Sequence, residues 1–255
     1  MMNYYYLIAA FPPLSLDVRP AISFRDVRDM LEMNLTSRDL KELEQLLRPI
    51  DLYNIRALWL GEPLDDRGNF KAKDLEEELF VKQDLPEYLT DYLDRYDSTE
   101  DCIKYFSSLY ASLYRESEEK LKGFLAQYYR FERELRLMLV ALRAKRKNRD
   151  IVRELQFENP NDPTVALILA QKDTGDFVPP REYEDVKTIF LNNAEDPKKL
   201  NEVLLQYKFN QIEEMEEPQD FGMDRVLPYI ARLLIVETLF DQDKELGMEQ
   251  LSQYE

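Results

Sequence analysis

The sequence predicts a mainly α-helical protein, and three observations carry that prediction. Only 6 of its 255 residues are glycine, well under the ~7% of an average soluble domain, so the residue that tight turns use most is scarce. Charged residues make up 33% of the chain, and Glu, Lys, Arg and Leu are good helix formers. Aliphatic residues recur at three- and four-residue spacing, as at Leu40, Leu43 and Leu47, at Leu135, Leu139 and Leu142, and at Leu233 and Val236. With 44% hydrophobic and 12% aromatic residues, a chain of this length buries a sizeable core.

Taken in order, the first apolar run, Tyr4 to Phe11, ends at Pro12-Pro13. It is apolar on every side and reads as a packed opening segment, with strand and helix both open. Ser23 is placed to cap a helix through Leu31, and Thr36 or Ser37 to cap a second. Pro49 stands where a third would begin, running through Ile55, Leu58 and Trp59 to a stop at Gly61. Residues 61–73 carry Gly, Pro, Asp, Asn and Lys and read as a surface loop. Asp74 caps a helix to Val81, Pro86 opens another to Tyr96, and Ser98 or Thr99 starts a longer one. From Cys102 to Arg149 the pattern is almost continuously helical, with Gly123 at a kink or junction. Residues 158–181, where two proline-rich stretches bracket Val165 to Ala170, read as a connector. Helices resume from Tyr183 to Asn192 and from Lys198 to Met215. After an acidic loop to Asp220, a last helix ends near Leu246-Gly247, with Pro228 in its first turn or at a kink.

Composition also excludes chemistry. The chain has no histidine and a single cysteine, Cys102, so it holds no Ser-His-Asp triad, no Cys-His dyad and no Cys/His zinc site. No cofactor is expected. A net charge of −17 opposes binding to nucleic acid phosphates and suits basic protein partners. No run approaches the ~18 apolar residues of a membrane-spanning helix, and no basic n-region precedes the opening apolar stretch. The expectation is a soluble, cytoplasmic protein.

Three segments share alternating charged and aliphatic residues: Asp51 to Leu60, Phe131 to Leu139 and Tyr229 to Glu237. Such spacing suits up to three pseudo-repeated helical units, which we place at 1–97, 98–157 and 158–255. Here a family resemblance enters. Asp-x-x-Asn-Ile-Arg-x-Leu at Asp51 to Leu58, Phe-Glu-x-x-Leu-Arg-x-x-Leu-x-x-Leu-Arg-Ala at Phe131 to Ala144, and the terminal Leu-Pro-Tyr-Ile at Leu227 to Ile230 resemble the C-type rotor component of V/A-type rotary ATPases, called d-type in the eukaryotic enzyme. The opening Asn3 to Ala9 followed by Pro13-Leu14-Ser15-Leu16 is similar to short bacterial proteins that accompany V-type ATPase subunits. The resemblance implies a helical, funnel-like protein without a nucleotide site. It would sit on the cytoplasmic face of the membrane between the central stalk and the proteolipid ring, taking part in ion or proton transport as a mechanical coupler. The chain is short for that family, so one unit is expected to be truncated.

The candidate interface residues follow. Asp51 is favourably placed near a helix N-terminus, while Asn54 and Arg56 either share that architectural role or hydrogen-bond a neighbouring helix or the stalk. Glu132 and Arg136 form an i,i+4 pair on a solvated face or, in the repeat reading, Arg136 matches Arg56. Arg143, Lys145, Arg146, Lys147, Arg149 and Arg153 make the one dense basic cluster, read as a cationic helix C-terminus or as a docking patch for acidic protein or lipid head groups. Glu213, Glu214, Glu216 and Glu217 make an acidic run, a solvated loop or a contact to a basic stalk. The tyrosines Tyr4, Tyr5, Tyr6, Tyr128 and Tyr129 and the single tryptophan, Trp59, read as core. The expected function is a non-catalytic rotor subunit. The alternatives are a helical adaptor for another cytosolic partner and an enzyme working through carboxylates, Lys, Arg or Tyr.

Overall fold

The computed structural model describes residues 4–71, 73–83, 85–216 and 221–252, with residues 243–252 described by their backbone alone. The fold is all-α: thirteen helices among the described residues make the chain 71% helical, with no strand. They are α1 (Tyr5–Ala10), α2 (Phe24–Asn34), α3 (Ser37–Leu60), α4 (Leu75–Val81), α5 (Glu87–Arg95), α6 (Thr99–Lys104) and α7 (Phe106–Lys120), followed by α8 (Gly123–Arg146), α9 (Ile151–Glu154), α10 (Pro163–Ala170), α11 (Glu184–Asn193), α12 (Pro197–Glu214) and α13 (Met223–Ser252). A short 3-10 turn at Arg181–Tyr183 precedes α11. No helix among the described residues is long and apolar enough to cross a membrane.

Helix starts follow the expected chemistry. Ser23 and Asp26 form a reciprocal capping box at α2, with the Asp26 N–H donating to Ser23 Oγ at 3.2 Å. Asp196 accepts the Lys199 N–H at 3.0 Å with Pro197 in the first helical position. At the other end of α3, Gly61 takes φ +69. There the Glu62 N–H reaches the Ala57 carbonyl at 2.9 Å and the Gly61 N–H the Leu58 carbonyl at 3.2 Å, a Schellman stop.

Four expectations are corrected. Pro49 does not begin a helix; it lies inside α3, which runs unbroken from Ser37 to Leu60. Interior proline costs about 3 kcal/mol, but Leu43, Leu46, Leu47, Leu52 and Ile55 on both sides of it are buried, and each such side chain contributes roughly 1.5–3 kcal/mol. Packing therefore outweighs the local break. The stretch 158–181 is not a bare connector, since it contains α10. Asp162 Oδ1 accepts the Thr164 and Val165 N–H groups at 3.0 and 3.1 Å, and Val165 and Ile168 are buried. The helical run after Cys102 is interrupted at Tyr105 and at Leu121–Lys122; only the second break falls at the junction expected at Gly123, which opens α8 at φ +59. Of the first tyrosines only Tyr4 is buried, because α1 turns Leu7 inward and leaves Tyr5 and Tyr6 exposed.

The chain divides into two compact units. One gathers Met1–Leu46, Gly123–Leu125 and Glu195–Glu255, the other Leu47–Lys122 and Ala126–Ala194. Each combines stretches distant in sequence, whereas the expected boundaries delimit contiguous ones. In the first unit α13 packs against α12 and α2. Its core contains Phe24, Val27 and Leu31 of α2, Leu200, Leu204 and Ile212 of α12, and Val226, Ile230, Leu233 and Val236 of α13. Glu237 Oε1 accepts the Phe24 N–H at 2.7 Å, so α13 helps cap α2. Phe11 stacks on Tyr229 with ring centroids 4.3 Å apart.

In the second unit α5 and α6 pack on α7, and α9 on α10. Leu52 and Ile55 of α3, Leu109 and Leu113 of α7, Leu135 and Leu142 of α8, and Val186 and Phe190 of α11 are buried. A run of aromatic contacts threads this unit through Phe157, Tyr105, Tyr96, Tyr92, Trp59, Phe106, Tyr110, Tyr114, Tyr129 and Tyr128, successive centroids lying between 4.9 and 6.4 Å. Trp59 is half-buried within it. Cys102 is buried, and burial pushes its thiol pKa up, away from the reactive thiolate.

Candidate functional site

The three motif segments lie in α3, α8 and α13, and their polar residues do different work in each. In α3, Asp51 and Asn54 are 5% and 2% exposed. Asn54 Nδ2 donates to the Asp65 carbonyl at 2.7 Å while its Oδ1 accepts the Asp65 N–H at 2.7 Å. One turn away, Asp51 accepts from the Asn69 N–H at 2.7 Å and from Asn69 Nδ2 at 2.6 Å. The loop after α3 is thus stitched to the helix. Gly68 is buried against it, and a Cβ there would stand 2.8 Å from Asp51 Oδ1, so the close approach requires glycine. Arg67 completes the loop with two bonds to the Asp65 carboxylate, Nε to Oδ1 at 2.8 Å and Nη2 to Oδ2 at 2.7 Å. Arg56 takes no part and is exposed.

In α8, Arg136 Nη2 pairs with Glu158, whose side chain is 7% exposed against 22% for Arg136. Arg133 joins the same acid at 3.6 Å and reaches Asp162 Oδ2 at 3.0 Å. Burial opposes the Arg133 charge, but the Asp162 hydrogen bond and the charges of Asp162, Glu158 and Glu118 prevail and raise its pKa. The Arg136 guanidinium also lies over Tyr110 and Tyr114, 5.9 and 5.4 Å from their centroids. A cavity of about 260 Å³ beside this network is lined by Arg130, Arg133, Glu118, Tyr129 and Asp162 among others.

In α13, Arg232 is buried with its Nη1 on Glu213 at 2.8 Å, its Nη2 on Glu216 at 2.6 Å, and its guanidinium 5.5 Å from the Phe209 centroid. Arg225 adds a second pair to Glu216. The acidic run is therefore largely an internal brace: Glu213 and Glu214 belong to the last turn of α12 and both are exposed, Glu213 pairing with Arg232 and Glu214 accepting from Gln211 at 3.1 Å. Glu217 lies outside the described residues.

The basic cluster divides in the same way. Lys145 Nζ donates to the carbonyls of Gln171 at 2.7 Å, Lys172 at 2.8 Å and Thr174, closing the C-terminal end of α10. Arg146 donates to the Ala194 carbonyl at the end of α11. Both cations thus neutralise the ends of other helices rather than their own. Arg149 forms a loose pair with Glu154 at 3.5 Å. Arg143, Lys147 and Arg153 are exposed. Among the described residues no group of three or more acidic or cysteine side chains could hold a metal ion.

Glu158, Asp162 and Asp224 are the residues that sequence reasoning missed as partners. Asp162 advertised itself as a helix cap through the following proline, but nothing near Glu158 or Asp224 in the chain signals the residues they meet.

Comparison with known proteins gives a consistent family. The model of a family described as "Protein of unknown function (DUF2764)" matches residues 1–253. An uncharacterized protein of Chlamydia muridarum is 29% identical over 241 residues, covering 92% of this chain and 91% of the relative. One from Chlamydia trachomatis is 26% identical over the same shares of both chains, and one from Chlamydia pneumoniae is 30% identical over 219 residues, 83% of this chain and 82% of the relative. No solved structure matches. By the match along nearly its whole length, the chain belongs to the DUF2764 family.

Proposed function

We propose that this protein is a non-catalytic coupling subunit of a V/A-type ATPase rotor, standing between the central stalk and the proteolipid ring. It would be peripheral to the cytoplasmic face of the membrane through its protein partners. The observation that carries this reading is the placement of the three motif segments. They lie in the three longest described helices, of 24, 24 and 30 residues, and each is tied by buried polar bonds to another stretch of its own unit. A coupler transmits torque, which demands helices that neither bend nor slide. Buried hydrogen-bonded ion pairs resist such shear, because breaking one partner costs roughly 3–5 kcal/mol. The motif resemblance to the C-type rotor component supplies the identity of the machine, and the exposed residues Arg56, Arg143, Lys147 and Glu214 are left to meet partners.

The test is purification of the V-type ATPase through a tag on this chain. Stalk subunits and the proteolipid ring should co-purify. An ATPase isolated intact and fully coupled from cells lacking the chain would overturn the reading, and recovery of unrelated soluble proteins alone would favour a helical adaptor.

A further inference from the structure

The opening segment, Tyr4 to Phe11, reaches two points at the start of α13. The Tyr4 N–H donates to the Phe221 carbonyl at 2.7 Å, while the Tyr4 hydroxyl donates to the carboxylate of Asp39 in the first turn of α3. Tyr4 and Leu7 are the buried residues of the segment. Two ring contacts add to these: Tyr5 meets Phe221 with centroids 5.4 Å apart, and Phe11 stacks on Tyr229 at 4.3 Å with 7° between the planes. Pro12-Pro13 follows, and none of residues 11–23 is buried. Beneath Phe11 a polar group is left over. Tyr229 is 7% exposed, and its hydroxyl is buried with no hydrogen-bond partner among the described residues. One turn along α13, Arg232, whose charge acts on that phenol, has an Nε in the same condition. A buried polar group left unused disfavours the state that buries it, and the Phe11 ring is part of what buries Tyr229.

We propose that the Tyr4–Phe11 segment is a lid over Tyr229, lifting as one unit about Pro12-Pro13 while α13 stays folded. The closed state gains the two Tyr4 bonds, the burial of Leu7 and the Phe11–Tyr229 stack. Opening hydrates the Tyr229 hydroxyl. An element held by few buried contacts opens at a fraction of the free energy that global unfolding requires. Pro12 and Pro13 suit the pivot, because proline has no N–H with which to continue α1. Tyr229 belongs to the Leu227–Ile230 motif, so the lid sets when that part of the motif meets solvent. The device is a property of this chain and does not depend on the rotor reading.

The experiment is native-state amide hydrogen exchange of the full chain, comparing wild type with Tyr4→Phe and Tyr229→Phe. In wild type the Tyr4, Ile8 and Phe11 amides, all hydrogen-bonded in the closed state, should share one protection level. That level should lie at least about a hundredfold below the protection of Leu233 and Val236 in the α13 core. Tyr4→Phe removes the hydroxyl that bonds Asp39 and should speed exchange at Ile8 and Phe11 about tenfold. Tyr229→Phe keeps the ring stack and deletes the buried hydroxyl, so it should slow exchange at the same amides about threefold. Protection that climbs residue by residue from Tyr4 to Phe11 would mark a fraying end and overturn the lid. Core-level protection in wild type would overturn it too, since the segment would then open only with α13. Unchanged or faster exchange in Tyr229→Phe would remove the buried hydroxyl as the force that favours opening, and the proposal with it.

Discussion

Asp224 Oδ1 accepts the Phe124 N–H at 2.7 Å, so the first turn of α13 caps the N-terminus of α8 across 100 positions of sequence. Gly123, at φ +59, lies so close that a Cβ would collide with the same carboxylate. Neither residue belongs to a motif, yet together they decide where a 24-residue helix begins.

Gly123→Ala should therefore destabilise by about 1–3 kcal/mol, combining the left-handed backbone with the collision. Asp224→Ala should cost about 0.5–2 kcal/mol through the lost cap. The double variant should lose less than the sum, because removing the carboxylate relieves the collision. Chemical denaturation of all four proteins reads this coupling, and strict additivity would refute the shared contact.

Glu158→Ala should be among the most damaging single changes in the second unit, at about 3 kcal/mol, because it leaves the Arg136 guanidinium partly buried without its carboxylate, while Arg133 keeps Asp162. Since Glu158 is nearly buried, added salt should not reproduce the loss in wild type. Urea midpoints at low and high salt measure both effects.

Burial raises the pKa of Glu42, and the nearby charges of Asp39 and Asp224 raise it further against the opposing pull of Arg38. A raised folded pKa means the native state binds the proton more tightly than the unfolded chain. Glu42 thus costs nothing below its ordinary pKa of about 4.3, and its penalty grows as pH rises through the shifted value. Glu42→Gln should raise the melting temperature at pH 7 and give no gain at pH 4; an equal gain at both would contradict the charge origin.

Tyr88, Tyr92, Tyr110, Tyr114, Tyr128 and Tyr129 all have raised pKa values, burial being the largest cause in each. Stability from these phenols is complete below the ordinary tyrosine pKa of about 10 and is lost as pH climbs above it. Ultraviolet titration should show this buried set ionising only as the helical signal collapses. Reversible ionisation of every tyrosine near pH 10 with the helices intact would rule this out.

Lys145→Met removes the donor that holds three carbonyls at the end of α10. Amide exchange should quicken across residues 171–178 while the α8 core stays protected. Unchanged exchange there would show that the clamp contributes nothing to local order.

Much of the helical content was legible because it rests on local rules: Ser23, Asp196 and Gly61 act within one turn of their own position, and apolar spacing marks the buried faces. Pro49 and the stretch containing α10 defeated that reading. At Pro49 a local penalty is outweighed by burial of residues on both sides, and α10 is too short to declare itself before its apolar side meets a core. The candidate interface residues divided for a similar reason. Asn54, Lys145, Glu213 and Glu216 look like free polar groups in sequence, and each is engaged by a residue that no local pattern reveals.

By itself the sequence determined the helical class, the absence of histidine chemistry and the positions of the three motifs, since composition, caps and periodicity are properties of neighbouring residues. The tertiary structure decided which charges serve as braces and which stay exposed to solvent. That choice depends on burial and on pairing across tens of residues: Arg136 and Arg232 meet their own carboxylates, and Arg56 reaches solvent.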